Sequence, residues 1–415
     1  MAKKILLAVL GLACAAPAAA QAPAPPPPPP GIEEALRSVR HPLTVSPAGI
    51  GGEGAPLLRE AVAGARFVGV GEDHFTREIP AFTTALCDMM APQGLAGLVL
   101  EVGPIAAEAL TPILTGPDRE ARMAAFDRSY PNAVAFLDGR DDNAMAAHCL
   151  EEGAGRRVAL IGLDQEFLGA AGFLLDRILA EPLSPATRAA ALRLREEERH
   201  RAAEAARTGD PSGLLLISVT DAELAPLDRA LAHGGTLKAQ AILAELRASR
   251  DIYALNAAGS PDANRVRGLM LKRHLVQHMP ARGKLLFKFG DWHLYKGVNP
   301  LRQRDLGNFI AESAEGAGDA SLHILVLGAK GVHATFAGYA RPLGRAPFTM
   351  SDDKDYRWLA AAIASQAGGG AWTLFDLRPL RRRRLAALDP DWRRVLDGYD
   401  LLVLIPELSP SEVLR

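Results

Sequence analysis

The sequence is poor in cysteine and nearly devoid of net charge. Its 415 residues include three cysteines, too widely spaced to begin a zinc-finger pattern. Lysine and arginine number 47 against 48 aspartate and glutamate, a formal net charge of −1. The global balance therefore draws the chain neither to nucleic acid nor to an anionic membrane surface. Past the N-terminus, no apolar stretch reaches membrane-spanning length without charges. There is no Gly-x-Ser-x-Gly elbow, which argues against an α/β-hydrolase triad, and no phosphate-binding P-loop. Gly69-Val70-Gly71 lacks the third glycine of a dinucleotide loop. No internal repeat is present.

What remains is a globular composition. Hydrophobic residues make up 48% and charged residues 23%, enough for one large α/β domain or two ordinary ones. At the N-terminus, Lys3 and Lys4 precede an apolar run from Ile5 to Ala16, and Ala18, Ala19 and Ala20 follow. This is the three-part pattern of a secretory signal peptide over residues 1–20, with cleavage near Ala20. The expected location is the periplasm or the medium. Cys14 lies inside that segment, and Gly11 to Ala13 fit a lipidation box poorly, so lipidation is not expected. Residues 21–31, with an unbroken run from Pro25 to Pro30, predict an extended polyproline linker. A mature chain keeps Cys87 and Cys149. An oxidising compartment lets them pair, but sequence does not say whether their Cα atoms are close; two separate buried thiols fit as well.

From residue 32 onward, short apolar runs end in glycine or an acidic residue. They are Arg66–Glu72, Gly97–Glu101, Arg157–Asp164, Lys284–Gly290, Leu322–Gly328, Trp372–Asp376 and Asp400–Ile405. Continuous apolar runs, as opposed to alternating ones, predict strands covered on both faces. A helical pattern from Ile79 to Met90 separates the first two. The fold class is therefore α/β, a mostly parallel sheet flanked by helices. A large helical insertion is expected over about 168–278, with helices at Pro185–Arg207, Asp221–Ala257 and Ala263–His278 and one possible strand at Leu214–Ser218. The basic run Arg381–Arg384 reads as a surface turn.

In an open parallel sheet, ligands bind beyond the carboxyl ends of the strands. Those ends supply Glu72, Asp73 and His74; Glu101; Asp164; and Asp291 and His293. One strand-end histidine is more often a structural hydrogen-bonding group. Four coincident ionisable ends are the pattern of a functional site. Two chemistries need such a set. A histidine can act as general base on water, oriented by a carboxylate, while a second histidine polarises the carbonyl or protonates the leaving group. Alternatively the same residues hold a divalent metal that activates the water. Lys288 interrupts a predicted central strand, so it either faces the cleft or snorkels outward. His148 and Cys149 are neighbours on a helix and do not face each other, which argues against a thiol nucleophile.

At these residues the chain resembles the erythromycin esterase family, within the wider superfamily of erythromycin esterases, ChaN-like and Tiki/TraB proteins. Val68–Glu78 resembles the family's opening strand and loop, Glu101 falls where the family has a glutamate, and Gly162–Asp164 resembles its Gly-x-Asp ending. Asn264–Met270 is similar to the family's Arg-Asp-x-x-Met helix, with Arg265 as its arginine. Phe289–His293 resembles the late histidine strand, and Asp400–Ile405 the closing strand. The likeness spans about Arg66 to Ile405. The first motif is one residue short, Phe75 replaces a glycine, Val266 replaces an aspartate, and the late motif lacks an asparagine. These departures bring the pattern toward Tiki-like proteins, marked by two Gly-x-x-His motifs and a glutamate.

The resemblance implies a hydrolase acting on a small-molecule substrate. His74 would be the water-activating base, Glu72 and Glu101 its orienting partners, and His293 the second catalytic group. Arg77, Asp164, Lys288 and Asp291 would bind substrate or shape its site. No cofactor is then required. A Tiki-like metal-dependent peptidase would instead hold a divalent ion on His74, Glu101 and His293, and a ChaN-like protein would bind haem without catalysis.

Overall fold

A computed structural model describes residues 28, 31–151, 157–364, 370–382, 388 and 390–414. The signal-peptide expectation, nearly all of the proline-rich segment, and Arg383 and Arg384 lie outside the described residues. The strands are β1 (Arg40–Ser46), β2 (Gly49–Gly51), β3 (Phe67–Glu72), β4 (Leu95–Leu100), β5 (Ala159–Gly162) and β6 (Lys284–Gly290). They continue with β7 (Ser321–Gly328), β8 (Lys330–Thr335), β9 (Gly344–Thr349), β10 (Trp372–Asp376) and β11 (Leu401–Ile405).

Nine of them form one sheet in the order β2-β1-β10-β11-β7-β3-β6-β4-β5. From β11 to β5 every pairing is parallel, while β10, β1 and β2 add antiparallel strands at one side. β8 and β9 make a separate antiparallel hairpin. The fold is thus α/β, with a mostly parallel sheet flanked by helices.

The apolar runs form central strands because side chains alternate between two covered faces. In β3, Phe67 packs with Phe287 and Phe289 on one face, while Val68 and Val70 join Leu286 and Ile324 on the other. A third core, built from residues such as Leu174, Leu215, Leu227 and Leu246, holds the helices between Ala171 and Ala257 together. Their ends carry ordinary stop and start signals. Thr220 and Glu223 form a capping box for the helix Asp221–Gly234, and Ser184 caps the helix Pro185–Thr208.

The structure departs from the sequence reading in places. Leu214–Ser218 is no strand. Leu215–Ser218 is a helical turn whose leucines pack into the helical core, and an apolar run of that length does not distinguish strand from helix. Helix Asp221–Ala257 is two helices, Asp221–Gly234 and Leu237–Ala257, divided at Gly235 and recapped by Thr236. Arg381 is more than a surface turn: its guanidinium donates to Asp400 at 3.0 Å and to the Leu396 carbonyl at 2.6 Å. Cys87 and Cys149 are joined in a disulfide with Cα atoms 5.5 Å apart, which ties the helix Glu78–Met90 to the helix Arg140–Glu151.

Candidate active site

The strands whose ends are ionisable, β3, β6, β4 and β5, are neighbours in the sheet. In the register of β3 on β6, Glu72 is level with Gly290, so the loops after both strands leave the sheet together. That places His74 and His293 around Glu101.

The two imidazoles are arranged alike. Nδ1 of His74 lies 2.9 Å from Glu72, and Nδ1 of His293 lies 2.8 Å from Asp305. A carboxylate at Nδ1 fixes the tautomer and directs Nε2 to the reacting side. Both Nε2 atoms face Glu101, at 3.6 Å for His74 and 3.7 Å for His293. Those separations exceed hydrogen-bond length, so neither ring is locked to the shared carboxylate. Glu101 is instead held by the Gly290 N–H at 2.6 Å and by Arg267 at 2.6 Å. Glycine at 290 leaves room for this arrangement, since a Cβ at that position would stand 2.9 Å from His74 Nε2 and displace the ring.

Two buried cations stand behind these carboxylates. Arg267 reaches Asp164 through Nε at 2.8 Å while its other arm holds Glu101. Lys288, only 4% exposed, donates to Glu72 at 2.5 Å and pairs with Asp142 at 2.7 Å. Charges taken out of water persist only when paired in this way. Burial opposes ionisation of Glu101, but His74, Arg267 and His293 outweigh it and bring the carboxyl down to about 2. Burial likewise opposes a charged His74, yet Glu101 and Glu72 push the ring up to about 9. His293 is raised too: burial is overcome chiefly by Asp305. Asp142 is raised to about 6, mainly by burial, against the pull of Lys288.

Aromatic rings line His74. Phe136 stacks on the imidazole with centroids 4.3 Å apart, and Phe75 lies 5.4 Å from Phe136. Both phenylalanines have left-handed backbone, φ 64 and φ 66. Bulky residues in that region cost about 1–3 kcal/mol each, and such strain concentrates at functional sites. The left-handed conformation at Phe75 gives the resemblance a physical sense, because it expects glycine there.

Beside this cluster, Asp73 lies 3.2 Å from His333 Nε2, but burial lowers that imidazole to about 4 and keeps it neutral, so the two form no ion pair. Burial and then Asp353 push Asp73 up to about 7. Asp291 accepts a hydrogen bond from the Tyr356 hydroxyl, and burial raises its carboxyl well above the ordinary range.

The structure thus gathers Glu72, His74, Glu101 and His293 into one cluster. It treats the expected substrate-binding residues differently. Arg77 points away: its side chain is 56% exposed and faces Asp141 at 3.5 Å. Lys288 and Asp164 lie behind the cluster with their charges engaged by Asp142, Glu72 and Arg267. Asp291 is tied to Tyr356. The helix arginine of the resemblance also shifts. Arg265 is exposed and pairs with Asp262, whereas Arg267 enters the site.

Sequence reasoning missed Arg267, Asp305, Asp142 and Phe136. Arg267 had a legible signal, since it falls on the buried stripe of its helix with Ala263, Met270, Leu271 and His274. Asp305 reads as the cap of the helix Leu306–Gly316, which it also is. A divalent ion fits this donor set poorly. Among the described residues no group of three or more His, Cys, Asp or Glu side chains is arranged to hold one. The Arg267 guanidinium already occupies Glu101 and would repel a cation there.

No protein-family model matches the sequence, and no curated protein matches it. Solved structures do. A mutant of the erythromycin esterase EreC, in its open conformation, aligns with a TM-score of 0.59 at 16% identity over 90% of this chain and 99% of its own. The chain has the erythromycin esterase fold. A succinoglycan biosynthesis protein aligns with this chain at TM-score 0.57 and 14% identity, over 92% of this chain and 98% of its own. A protein from Bacillus cereus does so at TM-score 0.51 and 16% identity, over 92% and 98%. A haem-binding ChaN of Campylobacter jejuni aligns at TM-score 0.30, too loosely to bear on ligand or chemistry.

Proposed function

We propose that the chain is an exported, metal-independent hydrolase that cleaves an ester of a small molecule. The observation that carries this reading is the pair of carboxylate–imidazole dyads whose Nε2 atoms face one glutamate.

In this reaction His74 Nε2 takes a proton from water as the water oxygen bonds to the ester carbonyl carbon. His293, whose charged form Asp305 favours against burial, faces the developing oxyanion and, as its imidazolium, then protonates the departing alkoxide. The carbon–oxygen bond breaks, and the products are an acid and an alcohol. The two rings suit different roles. His74 is the more accessible, with 16% of its side chain exposed against 8% for His293. A ring titrating near 9 is a strong base once neutral, and its neutral share grows with pH. The disulfide supports export, because such bonds persist in oxidising compartments. No described helix is long and apolar enough to cross a membrane.

The test is a screen of model aryl and lactone esters with wild-type protein, with His74→Ala, and with wild type after exhaustive chelation. Expected is turnover that His74→Ala removes and chelation spares. Loss on chelation, restored by a divalent ion, would overturn the metal-independent mechanism. Equal turnover in His74→Ala would overturn the site.

A further inference from the structure

His74 bonds one carboxylate, Glu72, and faces a second, Glu101, and each is backed by a chain of alternating charge. One chain runs Glu72, Lys288, Asp142. The other runs Glu101, Arg267, Asp164. In the first, one oxygen of Glu72 is shared: Oε1 lies 2.9 Å from His74 Nδ1 and 2.5 Å from Lys288 Nζ. The ring and the ammonium therefore compete for the same acceptor. Asp142 draws the ammonium the other way, at 2.7 Å.

We propose that Lys288 and Asp142 are positioning residues that set the proton affinity of His74 through the shared Glu72 oxygen. This deepens the hydrolase reading and rests on it only for its use, since the tuning is a property of the resting protein. Two carboxylates alone would keep the imidazole charged far above working pH. A lysine on one of them weakens that hold. An aspartate behind the lysine limits how far it is weakened.

The groups facing His74 belong to every element around it. Glu72 and Asp73 come from the end of β3, and Glu101 follows β4. Lys288 lies in β6, Asp291 follows it, and Asp142 belongs to the helix Arg140–Glu151. Arg267 and His293 act across Glu101. Among them, Lys288 and Asp142 combine full burial with no approach to either Nε2, which is why their role is indirect. Lys288 also lies 5.9 Å from the centre of the Phe136 ring that stacks on His74, so the same cation borders the ring's aromatic wall.

The signs differ between the two residues, and that makes the relay testable. Lys288→Met gives Glu72 wholly to His74 and raises the titration midpoint of the ring. Asp142→Asn releases Lys288 toward Glu72 and lowers that midpoint. Nearby charges of this kind move a midpoint by about one pH unit or more. The experiment is NMR titration of the His74 ring in the folded full-length protein, for wild type and both variants, with circular dichroism to establish folding. The Lys288→Met/Asp142→Asn double variant leaves no unpaired buried lysine and serves if the lysine variant fails to fold. Its midpoint should lie between those of the single variants. Where it stands in for Lys288→Met, the relay predicts a midpoint above that of Asp142→Asn.

The expected result is opposite displacement, with Lys288→Arg close to wild type. Midpoints that stay put, or that move in the same direction, would overturn the relay. For the folded double variant, a midpoint equal to or below that of Asp142→Asn does the same. The hydrolase reading fails separately: if midpoints move as expected but no ester is cleaved, the relay stands and the activity falls.

Discussion

Two histidines at opposite ends of the same sheet, one half-buried and one fully buried, meet opposite fates. His74 leaves the carboxyl end of β3 and is pushed up to about 9, because Glu101 and Glu72 outweigh burial. His323 lies near the start of β7 and is brought down to about 4, because burial wins and Lys296 adds to it. Its ring is satisfied by neutral groups, the Leu294 carbonyl at 2.7 Å and the Ser321 hydroxyl at 3.0 Å. The nearby carboxylate, Asp400, is claimed by Lys296 and Arg381. Burial alone thus does not mark a site. The difference is whether a carboxylate reaches the ring itself, as Glu72 reaches Nδ1 of His74, or the ring meets only neutral groups, as at His323.

The largest test of this contrast is catalytic. His74→Gln should lower ester turnover about a thousandfold, as loss of a general base does, whereas His323→Gln should leave it within about twofold. Initial rates on the best model ester decide this, and comparable losses would erase the distinction.

A second difference is covalent. The helix that carries Asp142 is braced by Cys87–Cys149, which closes a loop with a sequence separation of 62. Replacing both cysteines with serine should cost about 4 kcal/mol of stability on the loop-entropy account, read from urea midpoints. A loss near zero would mean that packing alone holds that helix.

The third test reads the two rings through stability against pH. His74 is raised above its ordinary value of 6.5, so its contribution is complete below about pH 6.5 and disappears as pH rises through about 9. His323 is depressed, so its contribution is present above about pH 6.5 and disappears as pH falls through about 4. Each is on the order of 3 kcal/mol. Denaturation from pH 4 to 10 should show His74→Gln flattening the alkaline side and His323→Gln the acid side. One variant flattening both sides would break the comparison.

The smallest effect concerns orientation. Phe136→Leu removes the stack on His74 and should cost about 1 kcal/mol of stability, with Phe136→Tyr retaining it. No stability change would assign the ring to solvent shielding alone.

Much of this was legible in the sequence because its signals are local. Apolar runs such as Lys284–Gly290 gave the central strands, and their polar endings gave Glu72, His74, Glu101 and His293. The short strands β1, β2, β8 and β9 were not foreseen. Their burial is partial, so they carry no continuous apolar run. The supporting charges were hidden for another reason. Arg267 and Asp142 come from helices remote in sequence, and only the folded crossings bring them to Glu101 and Lys288, while Asp305, close to His293 in sequence, reads as no more than a helix cap. Arg77 misled because its motif is close in sequence to His74 while its side chain turns outward from the start of a helix.

The most direct measurement is the pH dependence of kcat/KM for ester hydrolysis in wild type and in His74→Ala. Wild-type activity should climb through a single deprotonation near pH 9, and the variant's residual activity should lack that step. A step that survives in His74→Ala, or wild-type activity that is flat from pH 6 to 10, would contradict a water-activating role for this ring.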